Sequence, residues 1–197
     1  MADGPASDPQ RVAVLISGRG SNMKALIEQA NGYEVVLVAS NKPQAAGLEH
    51  ARAVARIPTW ARDSKSVARE EFEAALDQAL RDHRVGTIAL AGFMRLLSGR
   101  FVEQWRGRIV NIHPSLLPKY RGLDTHARAI AAGDSVAGCS VHIVTEEVDA
   151  GEVLAQAQVP IEPGDDAETL EQRVLAAEHR LYPQALADFV SRQFPRA

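Results

Sequence analysis

The chain has 197 residues, of which 46% are hydrophobic and 24% charged, with a net charge of -3 at pH 7. This length fits one domain with a sizeable core, and the charge balance gives no sign of a nucleic-acid or membrane-surface partner. No apolar run reaches the length of a membrane span, and the first ten residues do not resemble a secretory signal. The single cysteine, Cys139, excludes an internal disulfide and a cysteine-built metal site, and indicates a cytoplasmic protein.

The first half of the chain alternates between two kinds of pattern. Short continuous apolar runs predict buried strands, and apolar positions at helical spacing predict the helices between them. The predicted strands cover residues 12–16, 33–39, 57–60 and 85–91, and the predicted helices cover 21–30, 44–56, 64–81 and 99–106. This alternation indicates right-handed crossovers in a parallel, Rossmann-like sheet. We expect residues 1–10 to form a disordered tail.

The pattern changes after residue 110. A short apolar run leads into a loop at 113–124 that is rich in Pro and Gly, and loops of this length are usually functional or disordered. The remaining predicted elements are a helix at 125–132, alternating strands at 139–143 and 153–161, and a long helix at 166–189. We therefore predict a single α/β domain over 11–197, with an open, twisted, mostly parallel sheet flanked by helices and antiparallel strands in its C-terminal half.

The sequence SGRGSN at residues 17–22 lies between the first predicted strand and the first helix. Glycines there let the backbone approach an anion, which the N–H groups and the positive end of the helix dipole can bind. A dinucleotide-binding fingerprint needs a third glycine where this chain has Met23, so NAD binding is disfavoured. Two interpretations remain, a phosphate or other anion site and a plain tight turn in which Ser21 caps the helix.

The short apolar run that leads into the 113–124 loop predicts a fifth strand, and Asn111 and His113 come where it ends. If the strand continues to His113, the spacing of two places both side chains on the same side of the sheet, and Pro114 disfavours helical geometry at His113. An amide beside an imidazole suits the stabilisation of a developing oxyanion together with proton transfer. The alternative is a strand-end histidine satisfied by the backbone. The Asn partner, the prolines and the long loop favour a catalytic function.

Asp149 lies in an acidic turn between the two alternating strands, within the sequence TEEVDAGEVL. Such turns are usually solvated. However, Ala150 and Gly151 could let the backbone pack tightly and turn the Asp149 carboxylate inward. A carboxylate close to His113 would favour the charged imidazolium. The residues alone leave both orientations open.

The other candidate residues favour structural roles. Cys139 is predicted to be a small core residue rather than a nucleophile. Residues 92–97 follow a buried strand, at the edge where open α/β sheets bind ligands, although Met94 and Leu97 could equally belong to the core. We expect no metal, because the remaining histidines show no metal-ligand spacing. They are His50, His83, His126, His142 and His179.

Five segments together resemble a known family. They are SGRGSN at 17–22, AGFMRLL at 91–97, NIHPSLLPKYRG at 111–122, SVHIVTEEVDAGEVLAQAQVPI at 140–161 and EHRLYP at 178–183. In this order they resemble the phosphoribosylglycinamide formyltransferases, folate-dependent enzymes of purine synthesis, over about residues 11–190. The central block is shared by enzymes that use 10-formyltetrahydrofolate through this fold. The early anion loop and the short chain narrow the resemblance to the enzymes that act on the ribonucleotide.

The resemblance implies roles for particular residues. The catalytic set would be Asn111, His113 and Asp149. The substrate phosphate would be held by Gly20, Ser21 and Asn22, and Glu178 would contact glycinamide ribonucleotide. The folate pocket would be lined by Arg69, Met94, Arg95, Leu96, Leu97, Asn111, Thr145, Glu146, Glu147, Val148 and Asp149. Apolar side chains there would grip the pteridine while backbone groups bind its edge. Residues 11–110 would thus form the phosphate-binding half and 111–197 the folate-binding and catalytic half.

The resemblance also implies the reaction. The formyl group of 10-formyltetrahydrofolate would move directly to the amine of glycinamide ribonucleotide, giving N-formylglycinamide ribonucleotide and tetrahydrofolate. Asn111 and a protonated His113 would stabilise a tetrahedral intermediate, with Asp149 assisting and without a metal. The expected partners are these two small molecules, with no nucleic acid and no membrane, and the expected protein is a monomer or homodimer.

Two departures from the family pattern stand out, Arg121 where proline is common and Ala150 where glycine is frequent. Both could alter loop mobility, and the sequence also leaves open whether the Leu117–Pro118 bond is cis. Three other functions remain. A formyltetrahydrofolate deformylase would use water as acceptor but usually has an additional N-terminal domain. A methionyl-tRNA formyltransferase would need an additional C-terminal RNA-binding domain. A non-catalytic module that binds a phosphate ligand is the third, because fold alone does not imply catalysis.

Overall fold

The computed structural model describes residues 8–193, which form seven strands and six helices. The strands are β1 (Asp8–Ile16), β2 (Glu34–Ser40), β3 (Thr59–Ala61), β4 (Val85–Leu90), β5 (Ile109–His113), β6 (Val136–Ile143) and β7 (Val153–Pro160). The helices are α1 (Ser21–Glu28), α2 (Ala46–Ala53), α3 (Arg69–Asp82), α4 (Gly99–Gln104), α5 (Thr125–Ala131) and α6 (Ala167–Gln193). No helix within residues 8–193 is long and apolar enough to cross a bilayer.

The strands form one sheet in the order β3-β2-β1-β4-β5-β6-β7. Strands β1 to β5 pair in parallel, whereas β6 runs antiparallel to β5, and β7 antiparallel to β6. The prediction of a mostly parallel sheet with antiparallel strands in the C-terminal half is therefore confirmed. The same sheet runs through the halves 11–110 and 111–197, so the two share one framework.

Helices cover both faces of the central strands, which explains the continuous apolar runs in the sequence. Val14 and Ile16 on β1 belong to a core cluster that includes residues of α1, α2 and α6. Leu15, between them, belongs to a second cluster that includes residues of α3 and α4. Successive strand residues therefore face opposite cores, as the period of two requires.

Strand β1 begins earlier than the sequence predicted. Residues 8–10, which we assigned to the tail, belong to this strand, and residues 1–7 lie outside the described part. Asp8 pairs with Val85, and Thr87 Oγ1 donates a hydrogen bond of 2.9 Å to the carbonyl of Pro9. The close approach depends on Gly86, because a Cβ there would lie 2.2 Å from the Asp8 carbonyl oxygen.

Helix α3 and strand β5 also differ from their predicted boundaries. Helix α3 begins at Arg69 instead of Ser64, because residue 64 caps a neighbouring turn, where its N–H donates to the carbonyl of Asn41. Strand β5 extends to His113 because its last residues pair with β6, with His113 opposite Ser140. This extension makes Asn111 and His113 part of the strand.

The last helix is tied to the sheet through one buried phenol. Tyr182 on α6 is fully buried, and its hydroxyl lies 3.0 Å from the carbonyl oxygens of both Leu90 and Val110. Those carbonyls belong to the neighbouring strands β4 and β5, whereas α6 lies in the C-terminal half of the chain. Helix α6 is therefore fixed relative to the strand ends where the candidate site lies.

Candidate active site

A cluster of polar side chains lies at the end of β5. Asn111 and His113 are both part of the strand, so their side chains share one side of the sheet, as predicted. His113 is buried and Asn111 half-buried. His113 Nε2 lies 3.0 Å from the carbonyl oxygen of Tyr120, and because a carbonyl only accepts, this nitrogen donates.

The Asp149 carboxylate turns inward and joins this cluster. Its Oδ2 lies 3.4 Å from His113 Nδ1 and accepts a 2.9 Å hydrogen bond from the backbone N–H of Gly122. Asp149 has a left-handed backbone with φ of 51°. The tight packing that follows depends on Gly151, since a Cβ there would lie 1.8 Å from the Ile143 carbonyl oxygen. Of the two orientations that the sequence left open, the structure has the inward one.

The surroundings of Asp149 favour its charged form. Burial raises the pKa of this carboxyl, but the contact with His142, the Gly122 N–H and the nearby His113 imidazole outweigh that effect. The net result is a pKa below the ordinary value. A buried anion therefore lies beside His113.

His142 is a member of the cluster that the sequence did not single out for catalysis. It lies directly opposite Asn111 on β6, with its Nε2 at 3.1 Å from Asn111 Nδ2 and 3.5 Å from Asp149 Oδ1. Its Nδ1 lies 3.0 Å from the Ile143 carbonyl, so Nδ1 donates and Nε2 can accept from the Asn111 amide. In the sequence, Ser140 and His142 alternate with apolar residues. That alternation points to a site at His142 only when the register between β6 and β5 is known.

The loop at 114–124, which we name the catalytic loop, is bound to the sheet by side chains of β6 and β7. Buried Ser140 accepts from the N–H of Leu117 and donates to the carbonyl of Ser115, at 3.0 and 2.6 Å. Gln156 donates to the carbonyl of Leu117 at 2.9 Å, and the Leu117–Pro118 bond is cis.

A cavity of about 400 Å³ lies behind this loop, and its lining includes Pro114 and His126. The Asn111 and Asp149 side chains do not line this cavity.

The two departures from the family pattern lie on either side of the site. Arg121 Nη1 contacts Glu147 Oε1 at 2.6 Å, so the catalytic loop is linked to the 145–149 segment at the surface. The N–H of Ala150 donates to the carbonyl of Glu147 at 3.4 Å, within the turn that carries Asp149.

The predicted anion loop follows β1 at the same edge of the sheet. Gly20 precedes α1 with a left-handed backbone, φ of 71°, and Ser21 is the first residue of the helix. The expectation that Ser21 might cap the helix is therefore wrong, since the capping position is Gly20. Asn22 is buried, and its Nδ2 donates a 2.7 Å hydrogen bond to Glu178 Oε2. Asn22 Oδ1 has no hydrogen-bond partner among the described residues.

Glu178 is a second buried carboxyl in the site region, only 6% exposed. Burial raises its pKa to about 6, and the hydrogen bond from Asn22 opposes only part of that rise. Asn22 and Glu178, which are 156 positions apart in sequence, are thus brought into direct contact.

The residues predicted to bind folate fall into two surfaces. Met94 and Leu96 are 66% and 63% exposed, while Leu97 packs partly against the core cluster under α3 and α4. Arg95 donates to the carbonyl of Ser64 at 2.8 Å and lies over the Phe72 ring. Arg69 is exposed at the start of α3. The second surface consists of exposed residues, Thr145, Glu146, Glu147 and Val148.

Ser17 links the separate segments of the site, a role that no local sequence pattern indicates. Its hydroxyl donates to Asn41 Oδ1 at 2.5 Å and accepts from the N–H of Met94 at 2.8 Å. The ends of β1 and β2 and the 92–97 segment are therefore held together.

Within residues 8–193, no group of three or more His, Cys, Asp or Glu side chains could hold a metal ion.

Comparison with known proteins gives a consistent result. Residues 10–186 match the formyl transferase family. Phosphoribosylglycinamide formyltransferase of Escherichia coli (strain K12) is 42% identical over 182 residues, which covers 90% of this chain and 86% of that protein. The crystal structure of phosphoribosylglycinamide formyltransferase from Brucella melitensis has a TM-score of 0.87 at 53% identity, covering 92% of this chain and 95% of that one.

A longer protein is also similar. Trifunctional purine biosynthetic protein adenosine-3 of Drosophila melanogaster is 52% identical over 189 residues, which covers 92% of this chain but only 14% of that protein. The chain thus spans about one seventh of that relative's length. The match over most of the chain, together with the shared fold, shows that the chain belongs to the formyl transferase family.

Proposed function

We propose that the chain transfers the formyl group of 10-formyltetrahydrofolate to the amine of glycinamide ribonucleotide, as a step of de novo purine biosynthesis. The products are N-formylglycinamide ribonucleotide and tetrahydrofolate. The observation that carries the proposal is the contact of Asp149 with His113 beside Asn111, in a chain of the formyl transferase family. Formyl transfer needs what such a cluster offers, an oxyanion donor and a group that moves protons.

In the proposed mechanism the neutral amine attacks the formyl carbon, and the carbonyl oxygen becomes an oxyanion. One N–H of the Asn111 amide is directed at His142, and the second donates to that oxyanion. His113 is oriented through Nε2–H by the Tyr120 carbonyl, and its Nδ1 is the nitrogen that gains and loses a proton in the reaction. The Nδ1 distance of 3.4 Å to Asp149 exceeds that of a good hydrogen bond, which leaves this nitrogen available to the substrate.

Asp149 completes the proposed proton path. Its low pKa keeps the carboxylate charged beside His113, which stabilises the imidazolium that donates to the oxyanion. When the intermediate collapses, the bond between the formyl carbon and the folate nitrogen breaks. The amine proton leaves through this pair, and the folate nitrogen receives a proton. The chain thus supplies orientation, charge and proton transfer without forming a covalent bond to either substrate.

The binding assignments extend the same proposal. Gly20, Ser21 and Asn22 bind the phosphate, because the start of α1 presents backbone N–H groups to an anion. Glu178 contacts the ribonucleotide. Two exposed apolar side chains, Met94 and Leu96, form the folate pocket together with the other residues of the two surfaces described above. These residues are Arg69, Arg95, Leu97, Asn111, Thr145, Glu146, Glu147, Val148 and Asp149.

The wider setting is proposed on the same basis. The working partners are two small molecules, with no nucleic acid or membrane, in a cytoplasmic protein that acts as a monomer or homodimer. The net charge of -3 fits small-molecule partners. The residues of the polar cluster all come from a single chain, which fits a monomer or a homodimer with separate sites. Sedimentation of the protein at assay concentration would distinguish monomer from homodimer.

One experiment separates this function from the alternatives. Loss of the formyl group from 10-formyltetrahydrofolate is followed with purified protein, with and without glycinamide ribonucleotide. We expect turnover only with the ribonucleotide, and a product whose mass has increased by one formyl group in place of a hydrogen. Turnover in water alone would indicate a deformylase. No turnover under either condition would leave a different acceptor, such as a charged tRNA, or a binding module.

A further inference from the structure

The second half of the catalytic loop contributes two backbone groups to the polar cluster. The carbonyl of Tyr120 accepts from His113 Nε2 at 3.0 Å, and the N–H of Gly122 donates to Asp149 Oδ2 at 2.9 Å. These groups are only two residues apart in the chain. A displacement of this short stretch would therefore alter the surroundings of His113 and Asp149 together.

This stretch has a backbone that needs support from outside. Tyr120, Gly122 and Asp124 all have positive φ, at 55°, 79° and 57°. Two of the three are not glycine, and such conformations persist where neighbouring groups hold them. The contacts of Ser140 and Gln156 fix residues 115–117 at the start of the loop, so the stretch at 120–124 requires a different anchor.

The Tyr120 hydroxyl is held by Asp134 at 2.7 Å, and Arg128 on α5 anchors the residues that follow. Its Nη1 donates to the carbonyls of Arg121 and Leu123, at 2.7 and 3.2 Å, and these are the residues on either side of Gly122. Its guanidinium carbon lies 5.2 Å from the centroid of the Tyr120 ring. A planar guanidinium can bind carbonyl oxygens and cover an aromatic ring at the same time, which lysine does less well.

We propose that Arg128 is a positioning residue for the reaction, which holds the 120–123 backbone so that the Tyr120 carbonyl and the Gly122 N–H engage His113 and Asp149. Arg128 is not among the residues assigned to either substrate. The inference rests on the proposed function, because it assigns a task to the groups that orient the proposed catalytic pair. It predicts that loss of the guanidinium lowers the rate of the chemical step more than it weakens substrate binding.

The test compares Arg128→Ala with Arg128→Lys and with Arg106→Ala. Arg106 is an exposed arginine that pairs with Glu103 on α4, and its removal changes the net charge equally. For each protein, kcat and both KM values are measured, together with thermal unfolding and hydrogen exchange of the catalytic loop. We expect Arg128→Ala to lose on the order of 10-fold to 100-fold in kcat, as small misplacements of reacting groups do.

Further results are expected of a positioning role. Both KM values of Arg128→Ala stay within about twofold. Exchange at the catalytic loop becomes faster, while Arg128→Lys recovers part of the rate and Arg106→Ala matches the unchanged protein.

Two outcomes would overturn the inference. One is an Arg128→Ala protein with kcat and loop exchange unchanged. The other is a loss of kcat with a matching rise of both KM values and a loss of thermal stability, without recovery in Arg128→Lys, which means that Arg128 only supports the fold. Failure of the proposed function looks different, because the unchanged protein would then show no turnover that depends on the ribonucleotide. Hydrogen exchange of the catalytic loop tests the role of Arg128 in either case, because this measurement does not require an active enzyme.

Discussion

At the scale of single residues, the Asn22–Glu178 pair combines a proposed role in ribonucleotide binding with a cost in folding stability at neutral pH. Glu178 is nearly completely buried, with its carboxylate bonded to the Asn22 amide. Its pKa of about 6 lies above the ordinary value of 4.5, so the folded protein holds this proton more tightly than the unfolded chain does. The favourable contribution of Glu178 is therefore complete below pH 4.5 and is lost as the pH rises through about 6.

Replacing this carboxyl should stabilise the protein at neutral pH. The pKa difference corresponds to about 2 kcal/mol, so the free energy of unfolding of Glu178→Gln should gain up to that amount over the unchanged protein between pH 4.5 and 7. Urea unfolding of both proteins across this range checks it. Asp188→Asn, an exposed change on the same helix, serves as control with an expected effect below about 0.5 kcal/mol. A stability difference that does not vary with pH would contradict the raised pKa.

The residue scale also shows what the sequence could predict about the site. The period of two in a strand was sufficient to place Asn111 and His113 side by side. His142 was not identified, because its place beside Asn111 depends on the antiparallel register between β5 and β6, which local patterns do not determine. The contacts of Arg128 depend on the three-dimensional path of the catalytic loop, and no local pattern predicts them.

At the scale of elements, the turn between β6 and β7 determines where the Asp149 carboxylate lies. The sequence indicated an acidic turn and left its orientation open, because the decisive feature is a contact between segments distant in space. Gly151 packs against the Ile143 carbonyl, and the N–H of Ile143 bonds the carbonyl of Glu152. The turn therefore closes tightly enough to bring Asp149 towards His113.

A methyl group at position 151 should disrupt this turn. In Gly151→Ala the new Cβ would meet a backbone oxygen at 1.8 Å, so the 145–151 segment must shift and carry Asp149 with it. We expect a loss of about 1–3 kcal/mol in unfolding free energy and of at least about 10-fold in formyl transfer. Denaturant unfolding and steady-state assays measure the two effects. Gly18→Ala, where a Cβ meets no atom within 4 Å, should leave the stability unchanged.

Element boundaries were predicted less well than element types. The extra residues of β1 depend on the close approach of Asp8 to Gly86, and the late start of α3 depends on the turn at Asn41. Both are contacts between distant segments, whereas the apolar patterns report only which residues are buried.

At the scale of the whole molecule, α6 connects the two halves of the chain. Tyr182 is the point of connection, since its hydroxyl contacts a carbonyl of β4 and a carbonyl of β5. Glu178 lies four residues earlier on the same helix, so the position of the proposed ribonucleotide contact relative to the strand ends depends on this attachment. The alternation in the sequence predicted the sheet and the helix, but not the bond that joins them.

Removal of that hydroxyl should weaken the attachment without opening a cavity. For Tyr182→Phe we expect a loss of about 1–3 kcal/mol in the free energy of unfolding, because two buried carbonyls lose a partner while the ring stays packed. Urea denaturation followed by circular dichroism measures this. Tyr120→Phe, which removes a hydroxyl that contacts Asp134 near the surface, should cost less. Equal and negligible losses in the two variants would argue against a structural role for Tyr182.

The central claim is that Asn111, His113 and Asp149 act together in formyl transfer to glycinamide ribonucleotide. The most direct test measures kcat for ribonucleotide-dependent loss of formyl from 10-formyltetrahydrofolate in His113→Ala and Asp149→Ala, with thermal unfolding as the control for folding. Loss of one oxyanion donor typically lowers a rate by about 100-fold to 1000-fold. We predict at least that loss in each variant with the cooperative unfolding transition retained. Near-normal turnover in either folded variant would contradict the account.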